Sequence, residues 1–360
     1  MKRICFLIGN INHSGGTERV TTLIANQLTT DHQVFILSLA CGESPFFEQS
    51  SSIVNTSLFN KDISMRKNFL VAVSKIRKYL INNNIDTLVV VDSISCVFTI
   101  PACIGLKVNH VCWEHFNLKV NLGSRFRDLG RWMAAKWCNQ IITLTERDKS
   151  FWDKRFNLKK SNKVIAIANP SPYELQSNSP SLGYKNILCV GRLTYQKGFD
   201  LLIPAWASIS GNLPGWTITI VGSGEDEQKL KQMAIDFNVE NSIIFAGQQK
   251  DITHFYKKAS FFCMSSRFEG LPMVLLESQS YGLPIVSFDC NTGPAEVVDC
   301  GINGYLTQNE NIEDLSDKML KMCEENNFHS FSIASLKKSQ KFNMDNIILK
   351  WNALLGSLVK

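Results

Sequence analysis

Two glutamates, Glu269 and Glu277, frame the stretch Ser265-Ser266-Arg267-Phe268-Glu269-Gly270-Leu271-Pro272-Met273-Val274-Leu275-Leu276-Glu277, with seven residues between them. An ionised carboxylate accepts several hydrogen bonds at once, so each suits a pair of sugar hydroxyls. Glu277 falls five residues past Pro272, about 7.5 Å along a helix, so the two carboxylates cannot grip one atom of a substrate. A sugar ring at Glu269 and a ribose at Glu277 fit that separation. Gly270 lets backbone approach a ligand closely, and amides at a helix start, here those of Gly270 and Leu271 beside Pro272, favour phosphate or sugar oxygens. The same two glutamates also read as a first-turn charge that suits the helix dipole and a solvated helix residue.

A second segment, Val190-Gly191-Arg192-Leu193-Thr194-Tyr195-Gln196-Lys197-Gly198, carries two cations five residues apart between glycines. A diphosphate leaving group gains negative charge as a sugar–oxygen bond breaks, so Arg192 and Lys197 held beside it would lower the barrier. Two solvated charges flanking a turn are the plainer alternative. In Val221-Gly222-Ser223-Gly224-Glu225-Asp226, Gly222 and Gly224 would let a nucleoside lie against backbone. Glu227 breaks the dinucleotide fingerprint, and no Walker G-K-S/T run exists, which disfavours nicotinamide and ATP-hydrolysing enzymes. Near the start, Gly15-Gly16-Thr17-Glu18-Arg19 opens a helix whose bare N–H groups, Gly16 first, would dock an anion, although a tight turn explains it too. His115, after Trp113-Glu114, suits a hydrogen bond to a donor sugar or to charge developing near its anomeric carbon, or is a structural histidine.

The elements that must carry these loops are short β-branched runs alternating with 3.6-period segments, the pattern of helices covering parallel sheets. Strands are expected at 3–8, 33–39, 87–91, 109–113, 140–144 and 163–168, then at 186–190, 217–221, 242–246, 261–264 and 284–288. Helices are expected at 17–28, 67–81 and 345–358, the last with an apolar stripe of Trp351, Leu354, Leu355 and Leu358. Asn169-Pro170-Ser171-Pro172 and the polar run Gln176 to Ser181 read as a boundary and linker. The expected organisation is therefore a first α/β domain at 1–172, a second at 183–342 and a terminal helix at 343–360. Ligands of such sheets collect beyond the carboxyl ends of the strands, so two of them facing each other would make one cleft.

A net charge of +6 over 360 residues, with 19% charged and 44% hydrophobic residues, suits anionic small ligands and excludes the clustered basic stripe of a nucleic-acid binder. Eleven cysteines without a C-x-x-C pair point to buried free thiols in the cytoplasm rather than to disulfides or a zinc site. Met1-Lys2-Arg3 and the apolar Ile4 to Ile8 end at Gly9 and Asn10, too soon for a signal peptide. No apolar run spans a bilayer, so membrane contact would be peripheral, on the inner face of the plasma membrane.

Together, the early glycine pair, the His115 loop, the Gly191 to Gly198 segment, the Gly222 to Gly224 turn and the paired glutamates resemble the family 4 retaining glycosyltransferases of the GT-B fold. The resemblance covers nearly the whole chain. It implies two Rossmann-like domains facing a central cleft, Arg192 and Lys197 on the donor diphosphate, Glu277 on the ribose, Glu269 on the donor sugar, Gly16 giving an amide to phosphate and His115 beside the sugar. It further implies a nucleotide-sugar donor, expected to be a UDP-hexose or UDP-N-acetylhexosamine, and a saccharide acceptor, free or lipid-linked through undecaprenyl diphosphate, in polysaccharide, O-antigen or capsule assembly. The same family retains anomeric configuration through a front-face reaction. No Asp-x-Asp pair occurs, consistent with no metal and no further cofactor.

Segments 66–82 and 123–137 set Arg125, Arg127, Arg131 and Lys136 beside Phe126, Leu129, Met133 and Trp137. They would dock an anionic membrane, or bury an aromatic face against the chain's own sheet. Fold alone does not fix the reaction, so a nucleotide-sugar epimerase, a phosphorylase and a non-catalytic sugar-nucleotide-binding protein stand as alternatives. A hydrolase using the glutamate pair leaves the phosphate-binding loops without purpose.

Overall fold

The structure, a computed structural model, describes residues 1–177 and 179–358. Asn178 of the expected linker, and Val359 and Lys360 at the end of the 343–360 segment, lie outside the described residues. The chain divides into two compact units, Met1–Pro170 with Asp345–Lys360, and Ser171–Met344.

In the first unit seven strands run as β1 Arg3–Ile8, β2 Gln33–Ala40, β3 Val54–Phe59, β4 Thr87–Val91, β5 Asn109–Trp113, β6 Gln140–Thr143 and β7 Val164–Ala166. They form one parallel sheet in the order β3-β2-β1-β4-β5-β6-β7. The interior strands are apolar on both faces because helices cover both; β4 is buried at all five positions. The edge strand β3, absent from the expected set, reads Val-Asn-Thr-Ser-Leu-Phe and is largely half-exposed. A polar, one-sided edge gives neither an apolar run nor a clean alternation.

In the second unit six strands, β8 Asn186–Val190, β9 Thr217–Val221, β10 Ile243–Gly247, β11 Phe261–Met264, β12 Ile285–Phe288 and β13 Gly304–Thr307, make a parallel sheet in the order β10-β9-β8-β11-β12-β13. The edge strand β13 was also not expected; four residues opening on a glycine carry too little pattern. Both sheets share one topology. The first three strands of each build outward in one direction from the opening strand, and the rest build in the other, so the order reverses between β1 and β4 and between β8 and β11.

The terminal helix Met344–Ser357 packs into the first unit. Trp351 is fully buried there, edge-on to Trp113 at 4.8 Å and 6.0 Å from Phe6. Lys2 Nζ donates to the carbonyls of Leu355 and, at 2.8 Å, Leu358. The cysteines are free thiols, most of them buried, small apolar residues in use.

Candidate functional site

The second unit brings most of the expected residues onto one sheet edge. The loop 191–198 leaves β8, the turn 222–226 leaves β9, and the segment 265–272 leaves β11; β9, β8 and β11 are neighbours. The crevice where strand order reverses therefore lies between the loops after β8 and β11. Lys197 and Glu269 join across it, Nζ donating to Oε1 at 2.6 Å, with side chains 18% and 8% exposed. An ammonium–carboxylate bond this sheltered is a strong one. Arg192 is exposed and makes no ion pair among the described residues.

Arg267 fastens these two loops, and sequence reading had given it no role. Its guanidinium donates to both oxygens of Asp200 at 2.8 and 2.7 Å, to the Tyr195 carbonyl at 2.8 Å and to Glu310 at 3.1 Å, and lies 4.1 Å over the Tyr195 ring. Its backbone N–H donates to Gln196 O at 2.9 Å. Gln196 Nε2 donates to Phe268 O at 3.1 Å, and Ser265 Oγ to Lys197 O at 3.0 Å. The bidentate bond from Arg267, outweighing partial burial, holds the Asp200 carboxyl below its usual range. The signal available beforehand was an arginine in the strand-to-helix turn two residues before Glu269.

Gly222 has φ +143°, and a Cβ there would fall 2.0 Å from Gly191 O; one on Gly224 would fall 2.2 Å from Leu193 O. The two loops are laced by Gly191 N to Val221 O at 3.0 Å and Leu193 N to Ser223 O at 2.9 Å. Close packing of protein backbone is by itself enough to require glycine at both positions. Pro272 caps the helix Met273–Ser280 from outside, with ψ 120°. The amides of Gly270 and Leu271 accordingly belong to the turn before the helix. Glu277 is 2% exposed, which overturns the solvated reading, and its Oε2 accepts the Tyr256 hydroxyl at 2.7 Å.

In the first unit Gly16 starts the helix Gly16–Leu28 after β1, and the extended Gly15 gives no side-chain cap. Glu18, in the first turn of that helix, has Oε2 2.4 Å from where a Cβ of residue 15 would stand. His115 follows β5, 8% exposed, its ring 4.4 Å from Trp113. Burial pulls its imidazole down to about 4 against the opposing charge of Glu114, so the ring is neutral near pH 7. Its buried Nε2 has no hydrogen-bond partner among the described residues, a state that a ligand would relieve.

The loop after His115 hangs on buried charges. Glu114 accepts from Arg131 Nε at 2.9 Å, Ser93 Oγ at 2.6 Å and the Phe116 N–H at 3.1 Å. Arg131 also donates to the carbonyls of Asn117, Leu118 and Val120 at 2.9 to 3.1 Å. Burial raises the Glu114 carboxyl, but Arg131 and Arg127 together hold it below the usual range. Asp148, whose Oδ1 accepts the Leu118 N–H at 2.8 Å, is pushed by burial up to about 7.

This network divides segment 123–137, taking Arg127 and Arg131 out of any membrane-facing set. Arg131 is 1% exposed, and Arg127 is buried on Asp92 at 2.5 Å, while Phe126 and Met133 pack on the core. The face left outward carries Arg125 and Lys136 with Leu129, Trp132 and Trp137. Lys136 Nζ lies 5.4 and 4.9 Å over the two indoles. Arg66 of the other segment lies 4.2 Å over Phe126. No helix among the described residues is long and apolar enough to cross a membrane.

The thiols hold one arrangement that their spacing hid. Cys96, His110 and Cys138, all buried, bring their possible ligand atoms within 4.8 Å of one another. Both ring nitrogens of His110 have protein partners, Cys138 Sγ at 2.9 Å and Thr99 Oγ1 at 2.8 Å.

Comparison with known proteins matches residues 14–170 to the model described as Glycosyltransferase Family 4, and residues 174–339 to that of Glycosyl transferases group 1. An uncharacterized glycosyltransferase of Haemophilus influenzae is 34% identical over 99% of this chain and 100% of its own length. A Campylobacter jejuni enzyme, the GalNAc-alpha-(1->4)-GalNAc-alpha-(1->3)-diNAcBac-PP-undecaprenol alpha-1,4-N-acetyl-D-galactosaminyltransferase, is 26% identical over 99% of both chains. Among solved structures, Anabaena HepE in complex with UDP superposes with TM-score 0.81 at 20% identity, over 99% of this chain and 100% of that one, a likeness of fold.

Proposed function

We infer the reaction from one premise: this chain belongs to the family 4 and group 1 glycosyltransferases of the GT-B fold. The proposed reaction moves a hexose or N-acetylhexosamine from a UDP-sugar to a hydroxyl of a saccharide, free or carried on undecaprenyl diphosphate, with retention of configuration, in polysaccharide, O-antigen or capsule assembly. The observation that carries it is the Lys197–Glu269 pair across the strand-order reversal of the second unit. It sets a cation for phosphate beside an acceptor for sugar hydroxyls. The UDP bound to HepE and the undecaprenol-linked substrate of the Campylobacter relative favour this donor and this acceptor class.

In this reading Lys197 and Arg192 take up the charge of the departing diphosphate, so that no metal ion is needed for it. Glu269 holds the donor sugar, Glu277 the ribose, and the turns at Gly222, Gly224, Gly270 and Leu271 lie beside the nucleotide. Gly16 gives an amide to phosphate. His115, being neutral, acts through a hydrogen bond from Nε2 and carries no charge to the anomeric centre. The C1–O bond to the diphosphate breaks, a C1–O bond to the acceptor forms on the same face, and the acceptor's proton leaves on the released diphosphate.

The test is a panel of nucleotide sugars offered with free and undecaprenyl-diphosphate-linked saccharides, with and without chelator. Turnover of at least one UDP-sugar, insensitive to chelator, is expected. Lys197→Ala and Glu269→Ala should each lower kcat/KM by about 10² or more. Absence of turnover with every donor and acceptor overturns the proposal.

A further inference from the structure

We propose that Tyr256 is a positioning residue for the Glu277 carboxylate and so sets the affinity for the ribose of the nucleotide; the inference rests on Glu277 being the ribose acceptor. Tyr256 sits on the short helix Thr253–Lys257 and is fully buried. Its ring stacks on Tyr281 at 5.1 Å and 15°, and meets Tyr173 edge-on at 6.4 Å and Phe262 at 6.3 Å. A ring clamped on several sides has one direction for its hydroxyl. That hydroxyl donates to Glu277 Oε2 at 2.7 Å.

The consequence is geometric. Glu277 lies on a different element, the helix Met273–Ser280, and its side chain has three torsions of its own. Holding one oxygen restrains the orientation of the carboxylate. A carboxylate has about four acceptor sites, so the group that accepts the phenol also suits a ribose diol. Without the phenol that side chain loses one restraint, and more of its ordering falls on the binding step, which weakens it. No part of this touches the reacting atoms, so the effect belongs to nucleotide affinity and not to the rate of the bound complex.

The experiment measures calorimetric binding of UDP and of 2′,3′-dideoxyuridine diphosphate to the full chain as wild type, Tyr256→Phe and Glu277→Gln. Phenylalanine keeps the ring and its stacking. Tyr256→Phe is expected to weaken UDP about ten-fold and to leave the dideoxy analogue unchanged, since that analogue lacks the diol the carboxylate serves. Glu277→Gln should discriminate the two nucleotides in the same sense. If Glu277→Gln discriminates while Tyr256→Phe weakens both nucleotides alike or neither, the positioning role is overturned and the ribose reading stands. If Glu277→Gln fails to discriminate, or the wild type does not bind UDP, both fall.

Discussion

A buried histidine makes its demand on the protein as a proton refused. His115 titrates at about 4 and His110 at about 3, both pulled down by burial, against about 6.5 in an unfolded chain. The unfolded state therefore takes up protons that the folded one does not. Their contribution to stability is complete above about pH 6.5 and is lost as pH falls toward 4. Asp148 has the opposite sign: burial raises it to about 7, so what it contributes is present in acid and is lost as pH rises through 7. Thermal unfolding scans should show the midpoint falling from pH 6.5 to 4.5, and His115→Gln should flatten that fall, with an effect for wild type on the order of 3 kcal/mol by pH 4. A midpoint independent of pH across that range would refute the burial argument. The same neutrality predicts that kcat/KM carries no His115 titration between pH 5 and 8.

Among the loops, the element at stake is the pair after β8 and β11. Arg267 spans them through a planar fork on Asp200, a carbonyl of Tyr195 and a stacking contact on its ring. Lysine supplies charge but neither the fork nor the flat face. Arg267→Lys should therefore cost about 1–3 kcal/mol of stability and lower kcat/KM, because the Lys197–Glu269 pair would lose its fixed separation. Denaturant unfolding and steady-state kinetics read the two effects separately. Unchanged kinetics alongside lost stability would make Arg267 a fold residue only. In the first unit the Glu114–Arg131 pair plays the comparable part for the His115 loop, where removing one partner strands a buried charge.

For the molecule as a whole, the helix Met344–Ser357 brings the chain back to the first unit. The chain leaves the second unit at Met344 and closes on the first, where Trp351 meets Trp113 and Phe6. Trp351→Ala should destabilise the first unit by about 3–5 kcal/mol, seen as a lowered unfolding transition, and an unaltered transition would contradict that packing. The outward face of Trp132, Trp137 and Lys136 belongs to this scale too. We expect sedimentation with vesicles rich in anionic lipid to be lost on Trp132→Ala with Trp137→Ala, and no sedimentation of wild type would dismiss the membrane reading. The sequence by itself determined what local pattern can carry. Apolar runs of full burial marked the interior strands, loop composition marked the residues after β8, β9 and β11, and the apolar stripe marked the last helix. The edge strands β3 and β13 escaped because one-sided exposure and short length erase the pattern. Only the tertiary structure decided that Arg131 turns inward to Glu114, that Gly222 serves a neighbouring backbone, that Lys197 meets Glu269, and that Tyr256 holds Glu277. Each of these joins residues far apart in the chain, and a partner brought by folding leaves no trace in the spacing of either residue.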